Sequence, residues 1–279
     1  MTGRRAVLAG LAGMVAMSGA RGARARIAAA PITIDPGAAM TQGGWLRGRA
    51  QPGVLTLDGR PVPVAADGAF LVAFDRDCGA GAELALAPPG AARFVVPLAI
   101  APRAWRIEQV DAPFHPPAMP DAAFLATRKL ELARIEAARA LQTGAAGWRQ
   151  HFRWPAQGRI SGRFGAQRVY RGTPGTYHSG TDIAGGAGAP ITAPADGVVI
   201  LAAETAFTLE GHLLMIDHGM GLNSALLHCS ALLVHEGEVV RQGQEIARIG
   251  MTGRATGPHL HWSLRWGEAR LDPELFAGA

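Results

Sequence analysis

Turn residues recur at short intervals along most of the chain and limit the length of any element between them. The chain of 279 residues contains 37 glycines and 19 prolines. Many of the runs between them are short and either apolar or alternately apolar and polar, which is the pattern of β-strands. Asp58-Gly59 and Asp67-Gly68 each separate two such runs, and Asp-Gly is a strong hairpin signal. The sequence therefore predicts a mainly β protein.

The order of these patterns predicts three regions after the first residues. Residues 31–112 carry the hairpin signals and two more strands around Pro88-Pro89-Gly90, which predicts a small N-terminal β-sandwich-like domain. Residues 113–146 begin with a proline-dense linker and continue with helix formers. Residues 147–279 return to strands and turns without an amphipathic helix, which predicts a C-terminal antiparallel β-sheet domain.

The stretch 122–142 is the one predicted helix and connects the two β regions. It is free of glycine and proline and rich in helix-forming residues. The most apolar face of this helix is interrupted by charged residues. The residues on this face are Leu125, Leu132, Ile135, Glu136 and Arg139. We therefore expect a helix that packs lightly against its neighbours.

Residues 1–25 have the features of an export signal. Arg4 and Arg5 precede an apolar run, and Ala23-Arg24-Ala25 resembles a signal-peptidase cleavage site. Both the twin-arginine and the general secretory route fit this pattern. The run is too short to span a bilayer comfortably, so we expect no stable membrane span after cleavage. The predicted location is the periplasm or the cell envelope.

Charge and cysteine content exclude two further classes of protein. The formal net charge of +5 includes four arginines within residues 1–25, which contain no acid, so the mature chain carries +1. No dense basic cluster remains, and nucleic-acid binding is therefore excluded. Cys78 and Cys229 do not make a disulfide framework, and we expect two buried free thiols.

Two histidines stand one residue apart in the segment GRATGPHLHWSL, residues 253–264. On an extended strand, side chains two positions apart project to the same side. His259 and His261 therefore share one face, while the opposite face is apolar and carries Leu260, Trp262, Leu264 and Trp266. This pattern indicates a strand that packs its apolar side into a core and turns both imidazoles toward a site.

A second pair, His178 and Asp182, lies in the segment HSGTD. The glycines in and after this segment disfavour a helix, and on extended backbone residues four apart still fall on one side. Both pairs can thus aim at one point. Zn²⁺ suits such a point, because imidazoles and a carboxylate bind it at roughly 2.0–2.2 Å and three protein ligands leave a fourth position for water. Bound water then has a pKa of about 7 and supplies a nucleophile.

At these residues the sequence resembles the lysostaphin-type (LytM-like) zinc metallopeptidases, which cut peptide cross-links in bacterial peptidoglycan. The resemblance runs from about Trp154 to Pro273 and covers matching segments in one order. These segments are GRISGRFG (158–165), HSGTDIA (178–184), APADGVV (193–199), IDHG (216–219), GEVVRQGQEIARIGMTGRATGPHLHWSL (237–264) and LDP (271–273). The first β region and the helix are also similar to the front half of exported Gram-negative members.

The resemblance implies a role for each residue of the constellation. It implies zinc held by His178, Asp182 and His261. His259 matches the catalytic partner of the water, as general base or as stabiliser of the tetrahedral oxyanion, and His228 matches a further histidine of the same cleft with a similar role. The other histidines lie among prolines, near predicted strand ends or in turns, and we expect ordinary structural roles for them: His115, His151, His212, His218 and His235. The segment IDHG that contains His218 resembles a turn element of the family.

The chain departs from the family pattern beside His228. The family has Tyr-x-His-Leu there, whereas this chain has Leu226-Leu227-His228-Cys229. The missing tyrosine removes a hydroxyl that could support the oxyanion, a loss of about 10²-fold in rate for a donor of that kind. We therefore expect reduced activity or a different substrate. Strand alternation turns Cys229 to the core and argues against a nucleophilic role.

The sequence thus predicts an exported zinc endopeptidase that hydrolyses peptidoglycan cross-links, with a regulatory cell-wall protein as a further candidate partner. The alternative is a weakly active or non-catalytic relative that regulates cell-wall amidases. That alternative predicts a missing zinc ligand, and all three ligands are present.

The segment GEVVRQGQEIARIG also resembles biotinyl and lipoyl carrier domains. A carrier needs a lysine in the turn of this segment. The one lysine of the chain is Lys129 in the predicted helix, so a carrier function is excluded.

Overall fold

Eight short strands make up the first part of the protein, as seen in a computed structural model that describes residues 30–114 and 121–278. The predicted export signal and most of the proline-dense linker lie outside the described residues. The eight strands are β1 (Ile32–Ile34), β2 (Trp45–Ala50), β3 (Val54–Leu57), β4 (Arg60–Pro61), β5 (Ala69–Ala73), β6 (Gly81–Ala87), β7 (Phe94–Ala99) and β8 (Ile107–Val110).

Seven of these strands form two antiparallel sheets that share a core. One sheet has the order β1-β2-β5 and the other the order β4-β3-β6-β7. Buried side chains from both sheets lie in one cluster, among them Leu46, Leu55, Phe70 and Leu84. Two sheets that face each other across such a cluster make a small sandwich, so the predicted sandwich-like arrangement is confirmed.

The predicted turns lie where the sequence signals place them. Asp58 and Gly59 join β3 to β4 with φ of 49° and 76°, as a two-residue hairpin of this type requires. Asp67-Gly68 forms the turn before β5, where Val64 bridges to Phe70. The local turn chemistry therefore decides the strand connections here.

The rest of the chain contains a helix, a large set of strands and a short final helix. In chain order these are α1 (Ala122–Arg139), a 3₁₀ turn (Gly147–Arg149), β9 (Arg159–Gly162), β10 (Gln167–Tyr170), β11 (Thr173–Pro174), β12 (Thr181–Ala184), β13 (Pro190–Thr192), β14 (Gly197–Ala202), β15 (His212–Gly219), β16 (Leu222–Leu232), β17 (Val239–Val240), β18 (Glu245–Ile249), β19 (Leu260–Trp266), β20 (Ala269–Leu271) and α2 (Pro273–Ala277).

Ten of these strands form one antiparallel sheet, which confirms the predicted class of the C-terminal region. Its main path is β17-β14-β15-β16-β19-β12-β9, and β13, β18 and β20 pair at its sides. One face covers a large core that contains Phe152, Ile183 and Trp262. Part of the opposite face is covered by α1, through Ile135 and Ala138. The sheet is thus buried on both sides over much of its area.

The two helices differ from their predictions in detail. Helix α1 ends three residues earlier than predicted, and Leu125 and Leu132 are 51% and 44% exposed, so they are not part of its packing face. Glu131 is buried in their stead. Helix α2 was not predicted, although Asp272 caps it and Pro273 occupies its first position, which is a helix-start signal.

Contacts join the first strands to the large sheet. Strand β8 pairs in parallel with β10, and the guanidinium of Arg103 lies 2.7 Å from the buried carboxylate of Asp272. Residues 31–279 form one compact unit. The division into domains at residues 112 and 147 stays a proposal. No helix within the described residues is long and apolar enough to cross a membrane.

We predict that Phe70→Ala destabilises the protein by about 3–5 kcal/mol, because Phe70 is fully buried in the sandwich core and its removal leaves a cavity. Denaturant unfolding followed by circular dichroism measures the change in unfolding free energy. Val54→Ala is the matched control, since Val54 is 61% exposed and its truncation is expected to change stability by less than about 0.5 kcal/mol. Equal effects of the two substitutions would contradict the assigned core.

Candidate metal centre

The pairing of β12 with β19 places a carboxylate directly opposite an imidazole. Asp182 pairs with His261, and the next residues along, Ile183 and Leu260, pair with each other. Ile183 and Leu260 are fully buried, whereas Asp182 and His261 are partly exposed. The strand therefore has the predicted apolar and imidazole faces. Trp266, at its end, is only partly buried.

Three side chains bring one donor atom each to a common point. Asp182 Oδ1 lies 3.0 Å from His178 Nε2 and 2.8 Å from His261 Nδ1. The two imidazole nitrogens lie 3.0 Å apart. This is the one group of at least three metal-ligating side chains within the described residues. The predicted ligands His178, Asp182 and His261 are thus adjacent in space.

The tautomer of His178 makes these atoms suitable for a cation. His178 Nδ1 lies 3.1 Å from the carbonyl oxygen of Arg163, and a carbonyl can only accept, so Nδ1 carries the proton. Nε2 then presents a lone pair to the carboxylate. Donor atoms that share a tetrahedral ion at 2.0–2.2 Å lie roughly 3.3–3.6 Å apart. The observed separations are within about half an ångström of that spacing, and the donor set suits zinc.

A glycine makes room for the carboxylate. Gly162 of β9 pairs with Asp182 of β12. A Cβ atom at position 162 would lie 2.3 Å from Asp182 Oδ2 and 3.2 Å from His178 Cε1. Any larger residue would therefore displace two of the three donor groups. The segment GRISGRFG contributes to the site through this open space rather than through a ligand.

The electrostatics of the three groups favour an ionised carboxylate beside imidazoles. Burial would raise the pKa of Asp182, but its close contacts with the imidazoles of His178 and His261 outweigh burial and hold this pKa well below its usual value. Burial lowers the pKa of His261. For His178, burial also acts to lower the pKa. The contact with Asp182 outweighs burial, however, and the pKa of His178 is raised. At neutral pH the carboxylate is charged and His261 is neutral, as metal ligands must be.

His259 and His228 lie beside the three donors and face each other. Their ring centroids are 4.9 Å apart, and His259 Nε2 is 3.8 Å from Asp182 Oδ1. The ring of His228 is 6.3 Å from that of His261. Burial lowers the pKa of His228, which keeps this ring neutral and able to accept a proton. The structure thus brings all five predicted residues into one cleft.

An irregular backbone turns His228 toward this cleft. Leu227 pairs with His261, so strict alternation would point the next residue to the core. His228 instead has φ of 65°, which is uncommon for a residue other than glycine. At this point β16 leaves β19 and pairs with β18 from Cys229 onward. The position of His228 therefore depends on a bulge.

The side chains around His228 correct one expectation and confirm another. Leu226 pairs with Trp262 and is fully buried, so a side chain at this position faces the core. The expected loss of a hydroxyl from the cleft therefore does not follow from the missing tyrosine.

Cys229 is buried as predicted, and burial raises its pKa to about 12. Both cysteines are free, but Cys78 is only half-buried, contrary to the expectation of two buried thiols.

Two of the other histidines, His218 and His212, form ring hydrogen bonds within the fold. His218 is fully buried, donates from Nδ1 to the carbonyl of Asp196 at 2.8 Å and accepts at Nε2 from the hydroxyl of Ser224 at 2.8 Å. Ser224 in turn accepts from the indole of Trp262. His212 bonds to the carbonyl of Ala203, His151 and His235 are exposed, and His115 lies outside the described residues.

Sequence reasoning missed the backbone groups that orient the imidazoles. The carbonyl of Arg163 holds His178, that of Gly257 accepts from His259 Nδ1 at 2.8 Å, and that of Thr252 accepts from His228 Nδ1 at 2.9 Å. Residue types do not indicate these contacts, because every residue has a main-chain carbonyl. The signal that could have been used is Gly162, since a glycine inside a strand indicates the close approach of another group.

Comparison with known proteins identifies the domain. Residues 176–273 match the sequence profile of Peptidase family M23. A crystal structure of a Pseudomonas aeruginosa protein assigned to peptidase M23 is similar over 86% of this chain and 96% of that chain, with 27% identity and a TM-score of 0.66. The protein therefore carries an M23 peptidase domain, and the predicted resemblance is confirmed.

Two similar proteins have different functions. The Peptidoglycan DD-endopeptidase ShyA of Vibrio cholerae is 39% identical over 107 residues, which are 38% of this chain and 24% of that protein. The Murein hydrolase activator NlpD of Escherichia coli is 35% identical over 122 residues, which are 44% of this chain and 30% of that protein. The matched part is thus less than a third of either relative.

We predict that Gly162→Ala weakens the affinity for Zn²⁺ by about 10- to 100-fold, because the new methyl group displaces Asp182 and His178. Titration of the metal-free protein with Zn²⁺ in a calorimeter measures the affinity. Gly79→Ala is the control, since a Cβ atom there meets nothing within 4 Å. Unchanged Zn²⁺ affinity in the Gly162 variant would show that the space beside Asp182 is not required.

We predict that His218 makes stability fall between pH 6.5 and pH 4. Burial lowers the pKa of His218 from 6.5 to about 4, so below pH 6.5 the unfolded chain binds a proton that the folded protein does not. The loss reaches about 3 kcal/mol at pH 4. Urea unfolding across this range should give a shallower pH dependence for His218→Gln than for the wild type. Parallel curves would contradict the neutral buried state.

Proposed function

We propose that this chain is a zinc-dependent endopeptidase that hydrolyses peptide cross-links of peptidoglycan. The observation that carries the proposal is the convergence of two imidazole nitrogens and one carboxylate oxygen within 3.0 Å of one another, with two further imidazoles beside them. An M23 domain and a relative that is a peptidoglycan DD-endopeptidase support the substrate class.

His178, Asp182 and His261 would hold the ion through Nε2, Oδ1 and Nδ1, respectively. A bound Zn²⁺ would polarise the scissile carbonyl and lower the pKa of a water molecule at its open position. Two neutral ligands and one carboxylate would leave a net charge of about +1 at the site, which favours both effects. The partly buried setting strengthens these interactions further.

His259 and His228 would handle protons and negative charge during hydrolysis. Each ring donates its Nδ1 proton to a backbone carbonyl, so each Nε2 has a free lone pair. Either ring can take a proton from the attacking water, and once protonated it can donate to the oxyanion or to the leaving amine. His259 Nε2 lies 3.8 Å from Asp182 Oδ1, which places this ring beside the three donor atoms.

Export to the periplasm or cell envelope belongs to the same proposal. Peptidoglycan lies outside the cytoplasmic membrane, and the sequence of residues 1–25 has the pattern of a cleavable export signal. A regulatory cell-wall protein is a second proposed partner. Its support is the similarity to the murein hydrolase activator, which places regulation of cell-wall hydrolysis among the functions of relatives.

The same similarity favours a second candidate function, the regulation of peptidoglycan amidases without catalysis. A regulator does not need the three donor atoms, and their convergence in this chain argues for the enzyme. The two functions are separable in one assay. A regulator would increase the activity of an added amidase, and the His261→Ala variant would do so equally.

Digestion of purified sacculi by the mature protein tests the proposed function. We expect release of muropeptides whose peptide cross-links are cut, loss of this activity in chelator and its return with Zn²⁺. Mass spectrometry of the products identifies the bond that is cut. Undiminished cleavage by the metal-free protein would refute the zinc mechanism, and absence of any cleavage by the zinc-loaded protein would refute the enzyme.

We predict that His261→Ala abolishes both zinc retention and cleavage, whereas His259→Ala retains zinc and loses at least about 10²-fold in kcat. The reason is that His261 Nδ1 belongs to the three converging donors, while His259 Nε2 is farther from Asp182. Zinc content by atomic emission and cleavage rates on sacculi measure the two effects. Full zinc retention by the His261 variant would contradict the assignment.

A further inference from the structure

We propose that Thr252 is a positioning residue that fixes the orientation and tautomer of His228. This inference rests on the proposed function, in which His228 acts in the cleft. It concerns the segment after β18, where the chain passes from Ile249 to His259. The segment reads GMTGRATGPH, and its Thr-Gly step lies against the start of β15.

The hydroxyl of Thr252 connects two neighbouring strands. Thr252 Oγ1 donates to the carbonyl of Cys229 at 2.8 Å and accepts from the backbone N–H of His212 at 2.9 Å. His212 of β15 and Cys229 of β16 are partners across the ladder. The side chain therefore occupies the end of this ladder and uses both hydrogen-bonding capacities of its hydroxyl.

Two glycines allow this close approach. A Cβ atom at Gly211 would lie 2.2 Å from Thr252 Oγ1, and a Cβ atom at Gly253 would lie 2.3 Å from the backbone nitrogen of Gly211. The backbone N–H of Arg254 donates to the carbonyl of Leu209 at 2.9 Å. The segment is thus packed backbone to backbone, and the position of residue 252 is tightly determined.

The backbone carbonyl of Thr252 then determines the state of His228. It accepts from His228 Nδ1 at 2.9 Å, so the proton of the neutral ring is on Nδ1 and the lone pair is on Nε2. The backbone N–H of His228 donates to the carbonyl of Glu210 at 2.8 Å. His228 is therefore held at its backbone and at its ring, which compensates for its unusual φ of 65°.

The consequence for the reaction is a ring that begins each cycle as a proton acceptor. If Nδ1 lost its carbonyl partner, the ring could rotate or carry its proton on Nε2, and it could not then accept a proton there. The hydroxyl of Thr252 acts on this ring only through the placement of its own carbonyl. Thr252 is for that reason a positioning residue and not a catalytic one.

The first test compares Thr252→Val with Thr252→Ser. Valine keeps the shape but removes both hydrogen bonds of the hydroxyl, whereas serine retains them. On sacculi we expect Thr252→Val to lower kcat by about 10- to 100-fold with little change in KM and in zinc content, and Thr252→Ser to remain within about 3-fold of the wild type. The exposed Thr256 of the same segment supplies the control Thr256→Val, with wild-type activity.

A double-mutant cycle with His228→Ala separates this role from a general structural one. If Thr252 acts through His228, Thr252→Val has less than about a 2-fold effect on kcat in the His228→Ala background. An equal loss in both backgrounds would overturn the proposal. So would an unchanged kcat for Thr252→Val in the wild-type background.

A second measurement does not depend on activity. Long-range ¹⁵N correlation spectra of the histidine rings report which nitrogen carries the proton, and the His228 signals are identified by their absence from the His228→Ala spectrum. We expect an Nδ1-protonated ring in the wild type and in Thr252→Ser, and a mixture of tautomers in Thr252→Val. An Nδ1-protonated ring in all three proteins would overturn the proposal for Thr252, whatever their activity. Failure of the wild-type protein to cut sacculi would by itself refute only the proposed function.

Discussion

The cross-strand pair of Asp182 and His261 is the contact on which the site depends. The two residues are opposite each other in an antiparallel ladder, so their side chains share one face. A slip of one residue would turn one of them to the other face. The fully buried residues Ile183, Leu260 and Trp262 prevent that slip, because it would expose them to water. The hydrophobic effect on one face thus fixes the geometry of polar groups on the other.

The remainder of the site is built from irregular backbone and is held by carbonyl groups. Three histidines of the cleft, His178, His228 and His259, each donate an Nδ1 proton to a main-chain oxygen. A main-chain acceptor is present whatever side chain occupies its position, so these rings keep one tautomer without a dedicated carboxylate partner. The orientation of these rings therefore depends on well-packed loops, because the loops carry the accepting oxygens.

The regular part of this arrangement is predictable from sequence, and the irregular part is not. The alternation of apolar residues with His259 and His261 predicts both faces of β19, and the Asp-Gly pairs predict their turns. The bulge at His228 leaves no comparable pattern, because a positive φ outside glycine is imposed by tertiary contacts. The buried state of Leu226 follows from its register with Trp262, which depends on a distant strand. The roles of main-chain oxygens are likewise set by the fold and not by residue type.

Strand β5 lies between two cores. Its five residues are all buried, with Ala69, Leu71 and Ala73 in the core of the large sheet and Phe70 and Val72 in the sandwich core. A strand with this environment has no face left for solvent. Separation of the sandwich from the large sheet would expose Ala69, Leu71 and Ala73 to water, together with the core residues of the large sheet that they cover. We therefore expect a single cooperative melting event, and a sandwich layer that cannot be exchanged for another module without redesign of the surface of the large sheet that β5 covers.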